Sequence, residues 1–415
     1  LILTCAAGLS VLLVVIIAGK SAFGKRMDKE TESCPVPVNL NETLTNEMSD
    51  TSCLAGFDKI VKDYLTYWGI HGASLSVMRN DSLLFAKGYG EADTDKKMGP
   101  GNILRMASVS KLVTAVGIMV LQERGLLSIK DHVFGPDGIL NDSAYVAAIK
   151  DTLYNRITVE DLLRHKGGFS KRGGDPMFST RWIMMQNGWK EVPTQEQLME
   201  LQLKRRVRFV PGTAQEYSNF GYLALSMVIE KVSGMDYETF MQENVLRPIG
   251  CVDFHIAGNY YKHKLPNETR YYVQHDDEPA EEFNNSGRKV IRCYGGNNVT
   301  GLSGAGAWAA STPELALLVA SIDGRPEVPD IISKESVDQM TEYFDESTYS
   351  LGWNDTKDGY WTRTGTFAGT SALIKYFPDG ECWIFISNTS TYKGPGLARH
   401  TAELSEVLDD PFIQY

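Results

Sequence analysis

Hydrophobic positions along this chain follow two periods, and the switch between them predicts the elements. From Leu54 to Trp68 apolar residues recur every three to four positions, which predicts an amphipathic helix. Ala73–Met78 and Leu83–Tyr89 instead alternate apolar and polar around Arg79-Asn80-Asp81, which predicts a hairpin. Gly90 to Asn102 is expected to be a loop. From Lys111 to about Arg292 the pattern is mostly helical, broken at Gly135-Pro136, Gly167-Gly168, Gly173-Gly174, Pro211-Gly212 and Pro248. Ser311-Thr312-Pro313-Glu314 marks a helix start, with a capping hydroxyl and a proline in the first turn. Strand-like runs follow at Tyr349–Trp353, Tyr360–Thr366, Thr370–Phe377 and Cys382–Ser387, with Asp379-Gly380 turning the last pair.

Neither the early hairpin nor the late strands can bury a face alone, so the two chain ends are expected to share one sheet. The fold class is therefore α/β (α+β): an antiparallel sheet flanked by helices, with an inserted mostly helical lobe. The expected division is a sheet lobe of 54–107 plus 295–415 and a helical lobe of 108–294. The cleft between them is the expected site.

The first residues differ from all this. Leu1 to Gly19 is almost uninterrupted apolar sequence. At ~1.5 Å per residue it just spans a hydrocarbon core of ~30 Å. It is read as a signal-anchor or signal peptide, with the anchor favoured, so a membrane contact and an exported, periplasmic or extracytoplasmic location are expected. Lys20, Lys25 and Arg26 follow the span, and the positive-inside rule places them against that orientation. Residues 20–53, with Pro35 and Pro37 among polar side chains, read as a linker.

The chain of 415 residues is 43% hydrophobic and 22% charged, ordinary for a globular enzyme. A formal charge of −11 argues against a nucleic-acid partner, and the short basic cluster Lys204-Arg205-Arg206 with Arg208 reads as a solvated face. Six cysteines show no metal-ligand spacing, so no metal and no cofactor are expected. Cys34–Cys53 or Cys251–Cys293 are candidate disulfides, and separate thiols fit equally. N-x-[ST] triplets begin at Asn41, Asn80, Asn141, Asn267, Asn284, Asn298, Asn354 and Asn388, which favours export in a eukaryotic host.

The candidate chemistry begins at Ser108-Val109-Ser110-Lys111, at the mouth of a long helical pattern. Residues three apart share a helix face, so Ser108 Oγ and Lys111 Nζ are expected to meet. A serine with an amine beside it to take its proton is a nucleophile pair. The same spacing alone also fits a serine cap. Two further motifs follow: Tyr217-Ser218-Asn219 before another apolar-periodic stretch, and Arg363-Thr364-Gly365-Thr366 on a strand-like run. No G-x-S-x-G elbow occurs, and His165 reads as a structural helix-end residue. Trp182, Ile183, Met184, Met185 and Trp189 form an apolar cluster that fits either a lobe core or a pocket wall, and Tyr271, Tyr272 and Trp308 are weaker candidates of the same kind.

The order S-x-x-K, Y-x-N, basic-x-Gly resembles the serine β-lactamase and penicillin-binding-protein superfamily, and most of all its class C β-lactamase-related hydrolases and esterases. ITVEDLLRHKGGFS and GLSGAGAWAASTPELALLVA resemble two further segments of that family. The resemblance runs roughly from Phe57 to Glu406. It implies Ser108 as nucleophile and Lys111 as its base. It makes Tyr217 a second base or acid with a depressed pKa. Asn219 would hold Lys111 or a substrate amide, and the backbone N–H groups of Ser108 and Thr366 would form the oxyanion hole. Gly365 would let the strand approach the acyl carbon. Arg363 stands where relatives usually carry Lys or His. Its guanidinium suits a substrate carboxylate, with Thr364 adding a hydroxyl, or it tunes Tyr217. Glu160-Asp161-Leu162-Leu163 lacks the deacylating glutamate pattern of class A enzymes.

The expectation is a serine hydrolase or acyltransferase working through an acyl-enzyme on Ser108. Its expected substrate is a small ester or other acyl donor, with an apolar alcohol as one acceptor. The alternatives are a D-amino-acid peptidase or weak β-lactamase acting on a peptide-like substrate, and a non-catalytic binding or filament-forming relative. The oligomeric state is not legible.

Overall fold

A computed structural model describes residues 39–171, 174–274, 279–346 and 348–391. The apolar segment 1–19, most of the expected linker and Cys34 lie outside the described residues. Among the described residues no helix is long and apolar enough to cross a membrane.

Early and late segments of the chain meet in one six-stranded antiparallel sheet. Its order is Trp361–Phe367, Thr370–Tyr376, Glu381–Ser387, Gly72–Arg79, Ser82–Asp93, Lys96–Lys97. The junction is Gly72–Arg79 against Glu381–Ser387, in register from Ala73↔Ser387 to Arg79↔Glu381. Gly380 turns the late hairpin at φ 84°, a left-handed conformation that costs glycine nothing. Alternation then sorts the side chains. Leu75, Val77, Phe85, Trp383 and Phe385 pack under Phe57, Val61, Tyr64 and Leu65 of the helix Ala55–Trp68. The opposite face joins the large core, where Ser74 and Ser76 both bond the Thr312 hydroxyl at 2.8 Å. Small hydroxyl side chains there let the helix Thr312–Ala320 lie close to the sheet. That helix starts as its sequence predicts, with Ser311 accepting from the Glu314 N–H and proline in the first turn.

Several expectations need correction. Gly90–Asn102 is not all loop: the second strand runs to Asp93 and pairs with Lys96–Lys97. The part of the polar linker that is described is docked, not free. Leu40 and Leu44 are buried, and Ser49 exchanges hydrogen bonds with the backbone of Ala86. Its scattered apolar residues, too few for a periodic pattern, anchor it. Tyr349–Trp353 forms no strand, because its backbone turns away to bury Leu351 and Trp353. The stretch expected to form the helical lobe is mostly helical to Ile249, and the described residues of 251–294 change to short strands and turns. Cys251, Cys293 and Cys382 are free and buried, so the Cys251–Cys293 bridge does not form. Of the N-x-[ST] asparagines, Asn388 is fully buried and donates to the Glu91 carbonyl.

Candidate functional site

Ser108 lies in a tight turn, Ala107–Val109, that feeds directly into the helix Ser110–Glu123. Ala107 sits at φ 47°, a left-handed conformation that costs a residue with a Cβ about 1–3 kcal/mol. The Val109 N–H closes the turn on the Met106 carbonyl. This strained turn projects Ser108 out of the core, while Ser110 points inward and accepts the Trp308 N–H.

Lys111 is fully buried one turn further on. Its Nζ lies 2.5 Å from the Ala305 carbonyl, 2.7 Å from Asn219 Oδ1 and 3.3 Å from Ser108 Oγ. Burial, with the Arg363 cation second, pushes its pKa well below the ordinary lysine range, and Asp175 opposes the shift. A neutral amine has two N–H groups and one lone pair. The two short contacts accept the two hydrogens, which leaves the lone pair for the proton of Ser108. Tyr217 donates its hydroxyl to Ser108 Oγ at 2.7 Å from the other side. Here the structure corrects the sequence: burial raises the Tyr217 pKa, and Arg363 only offsets part of that rise. Tyr217 is a phenol, suited to give a proton rather than to take the first one.

The Trp361–Phe367 strand closes the site. Gly365 is wedged against the nucleophile turn: a Cβ there would lie 2.3 Å from Met106 O and 2.7 Å from Ser108 N. The strand is the sheet edge, and the Thr364 N–H turns away from its neighbour to Asn354 Oδ1 at 2.7 Å. Thr366, two residues on, presents its N–H on the same free side. Arg363 is 1% exposed, and its Nε and one terminal nitrogen both donate to the Ser108 carbonyl, at 2.9 and 2.6 Å. The carboxylate-clamp expectation for Arg363 is therefore overturned: its fork grips the protein's own backbone. Its cation acts on Lys111, Tyr217 and His165 instead. Thr364 is likewise tied to Asn354.

The proposed pocket-wall residues occupy different settings in the fold. Trp308 is fully buried and donates to the Tyr237 hydroxyl within the core. Trp182 and Met185 are 43% and 52% exposed on the helix Thr180–Asn187, whose inner face buries Ile183 and Met184. Trp189 packs partly buried against the main core. Tyr271 is buried and accepts the Arg105 N–H, and Tyr272 stacks on His71.

Three further neighbours flank the cluster: His165, read from the sequence as a structural helix-end residue, and Tyr349 and Asp175, which the sequence did not single out. His165 is buried at φ 59°, accepts the Ser218 N–H on Nδ1, and sets its ring 4.4 Å from that of Tyr217. Burial holds it well below the usual histidine range, and the Arg363 cation adds to the shift, so it is a neutral positioning group. Tyr349 stands 5.9 Å from the Tyr217 ring. Asp175 accepts from Asn219 Nδ2 at 2.8 Å. The signals were faint: a histidine inside a helix-end segment, and an aspartate before Pro176.

The antiparallel sheet with its helices and the Ser108–Lys111–Tyr217 cluster together define a class, a serine hydrolase fold of β-lactamase type. The chain belongs to the Beta-lactamase family, whose model matches residues 57–407. A putative D-alanyl-D-alanine carboxypeptidase of Escherichia coli O157:H7 is 22% identical over 82% of this chain and 78% of its own length. Penicillin-binding protein 4* of Bacillus subtilis is 25% identical over 45% of this chain, which spans only 37% of that protein. Among solved structures, a D-amino acid amidase from Ochrobactrum anthropi SV3 superposes with TM-score 0.65 at 17% identity, covering 86% of this chain and 98% of its own. EstCE1, a hydrolase with promiscuous acyltransferase activity, gives 0.63 at 18%, covering 85% and 97%. At those identities the structural likeness speaks for the fold.

Proposed function

We propose that this protein cleaves small esters or amides through an acyl-enzyme on Ser108. The observation that carries the reading is the pair of contacts on Ser108 Oγ, 3.3 Å from Lys111 Nζ and 2.7 Å from the Tyr217 hydroxyl. Neutral Lys111 takes the Ser108 proton as Oγ bonds to the acyl carbon. The resulting oxyanion is held by the N–H groups of Ser108 and Thr366. Tyr217 gives its proton to the leaving alcohol or amine and recovers one from the Lys111 ammonium, so the step is proton-neutral. Water then attacks the acyl-enzyme, or an alcohol does so and the outcome is acyl transfer. Esters are the first choice, since an alkoxide is a far better leaving group than an amine anion and depends less on proton transfer from Tyr217. Amide or D-amino-acid peptide cleavage is the second reading, supported by the carboxypeptidase and amidase relatives.

The test is intact-protein mass measurement after exposure to activated esters and β-lactams. An adduct of one acyl group is expected, absent in Ser108→Ala. An equal adduct in that variant moves the nucleophile elsewhere and ends the reading.

A further inference from the structure

Asp175 is the acidic side chain that reaches into this site. It precedes the short turn Pro176–Phe178, which its Oδ1 caps by accepting the Met177 N–H at 3.0 Å. Its Oδ2 accepts from Asn219 Nδ2 at 2.8 Å, and Asn219 Oδ1 in turn accepts from Lys111 at 2.7 Å. One amide group thus separates the carboxylate from the amine that serves Ser108. Each carboxylate oxygen accepts one N–H and keeps a further lone pair. Asp175 is only half-buried, and its charge acts on both Lys111 and Tyr217.

The cations around it are occupied. Arg363 is buried on the Ser108 carbonyl, and Lys171 pairs with Glu216. Lys111 works as a neutral amine. Beyond Tyr217, a cavity of about 500 Å³ bordered by Tyr349 and Asn354 carries Asp345, Glu346 and Asp355, and its Lys357 pairs with Glu346. Among the described residues, then, the open charge beside the nucleophile is negative.

We infer that Asp175 selects acyl donors bearing a protonated amine next to the scissile carbonyl, and disfavours carboxylated ones. This rests on the acyl-enzyme reading above. An ammonium group placed there gains a charge-assisted hydrogen bond to the free lone pair of the carboxylate. An isosteric methyl gains nothing, and a carboxylate is repelled.

The experiment compares kcat/KM for phenyl esters of alanine (both enantiomers), isobutyrate and methylmalonate, below the pKa of the amine. One alanyl enantiomer is expected to exceed isobutyryl by at least ~10-fold, the value of one charged hydrogen bond. Asp175→Asn removes the charge and keeps one acceptor oxygen, enough for either the Met177 N–H or Asn219 Nδ2 but not both. It should bring that ratio close to one and raise the relative rate of the methylmalonyl ester. Loss of every ester by the same factor, or an unchanged ratio, overturns the inference and leaves Asp175 as a support for Asn219. A second measurement does not need turnover: alaninamide and isobutyramide are titrated into Ser108→Ala by calorimetry. Tighter binding of alaninamide that Asp175→Asn abolishes supports the inference, and equal binding refutes it. Absence of any ester adduct on Ser108, with alaninamide still preferred, would instead remove the acyl-enzyme reading alone.

Discussion

Gly365→Ala tests whether the edge strand and the nucleophile turn form one machine. The added methyl would lie 2.3 Å from Met106 O, 2.7 Å from Ser108 N and 2.9 Å from Val109 N. All three are backbone atoms, so no side chain can rotate away. Ordinary contact needs roughly 3.5 Å, so strand and turn must part by about 1 Å. The two proposed oxyanion donors sit on opposite sides of that seam, Ser108 N–H on the turn and Thr366 N–H on the strand. Losing one such donor costs about 2.7–4 kcal/mol of barrier, a factor of 10² to 10³. The overpacking itself costs about 1–3 kcal/mol of stability, which a fold of ordinary stability survives. Acylation of Ser108 is followed by the rate of mass increase with an activated ester, beside a thermal melt. The expected result is a folded protein acylated at least ~100-fold more slowly. Acylation within a few-fold of wild type, with a normal melt, would show that the seam does not carry the oxyanion.

Lys111→Ala and Tyr217→Phe should each slow acylation by ~10²-fold or more, and the double variant should be little worse than the poorer single, because both serve one proton path. Full multiplication of the two losses in a double-mutant cycle would separate their roles. The acylation rate should rise with pH through the lowered Lys111 pKa and level off well short of the ordinary lysine range. Arg363→Met, which removes the second-largest cause of that shift, should move the rise to higher pH. A pH–rate profile unmoved in the variant contradicts the assignment. Burial raises the Glu314 carboxyl to about 7 while the unfolded chain titrates near the ordinary carboxylate value. The folded state therefore holds a proton the unfolded state has lost, and this contribution to stability fades as pH climbs from about 5 to 7. Glu314→Gln should flatten that part of the melting-temperature profile, and an unchanged slope counts against it.

The sheet was legible because alternation is local: Ala73–Met78 and Thr370–Phe377 declare their faces residue by residue. The helix starts at Ser110 and Thr312 were legible through spacing, capping and proline. What escaped was placement set by long-range contact. Nothing in TYSLGW says that Tyr349 will bend onto Tyr217, or that the backbone of residues 349–353 leaves the strand pattern to do so. Trp308 and Trp182 look alike in sequence. One is sealed in the core by its bond to Tyr237, and the other rides on a helix face exposed to solvent. The proton states were also hidden. Tyr217 reads as a base beside two cations, but lost solvation penalises its phenolate more than the Arg363 cation repays, and Lys111 is itself held neutral.

Arg363 shows how one substitution inside a motif redistributes charge roles. A lysine at this position would be a point charge on a flexible stem, able to swing toward a substrate anion. The guanidinium is planar, and with two of its donors on one carbonyl oxygen it is fixed. It therefore supplies a constant positive field that keeps the buried Lys111 neutral, while offering nothing to the acyl pocket. With that cation spent internally, the half-exposed Asp175 carboxylate is left to set the sign of the site. A chain that kept this motif order but changed Arg363 would be expected to change two properties together: the pH at which Lys111 becomes a base, and the charge preferred on the acyl group. Measuring both in Arg363→Lys decides the point, since a role confined to packing would shift neither.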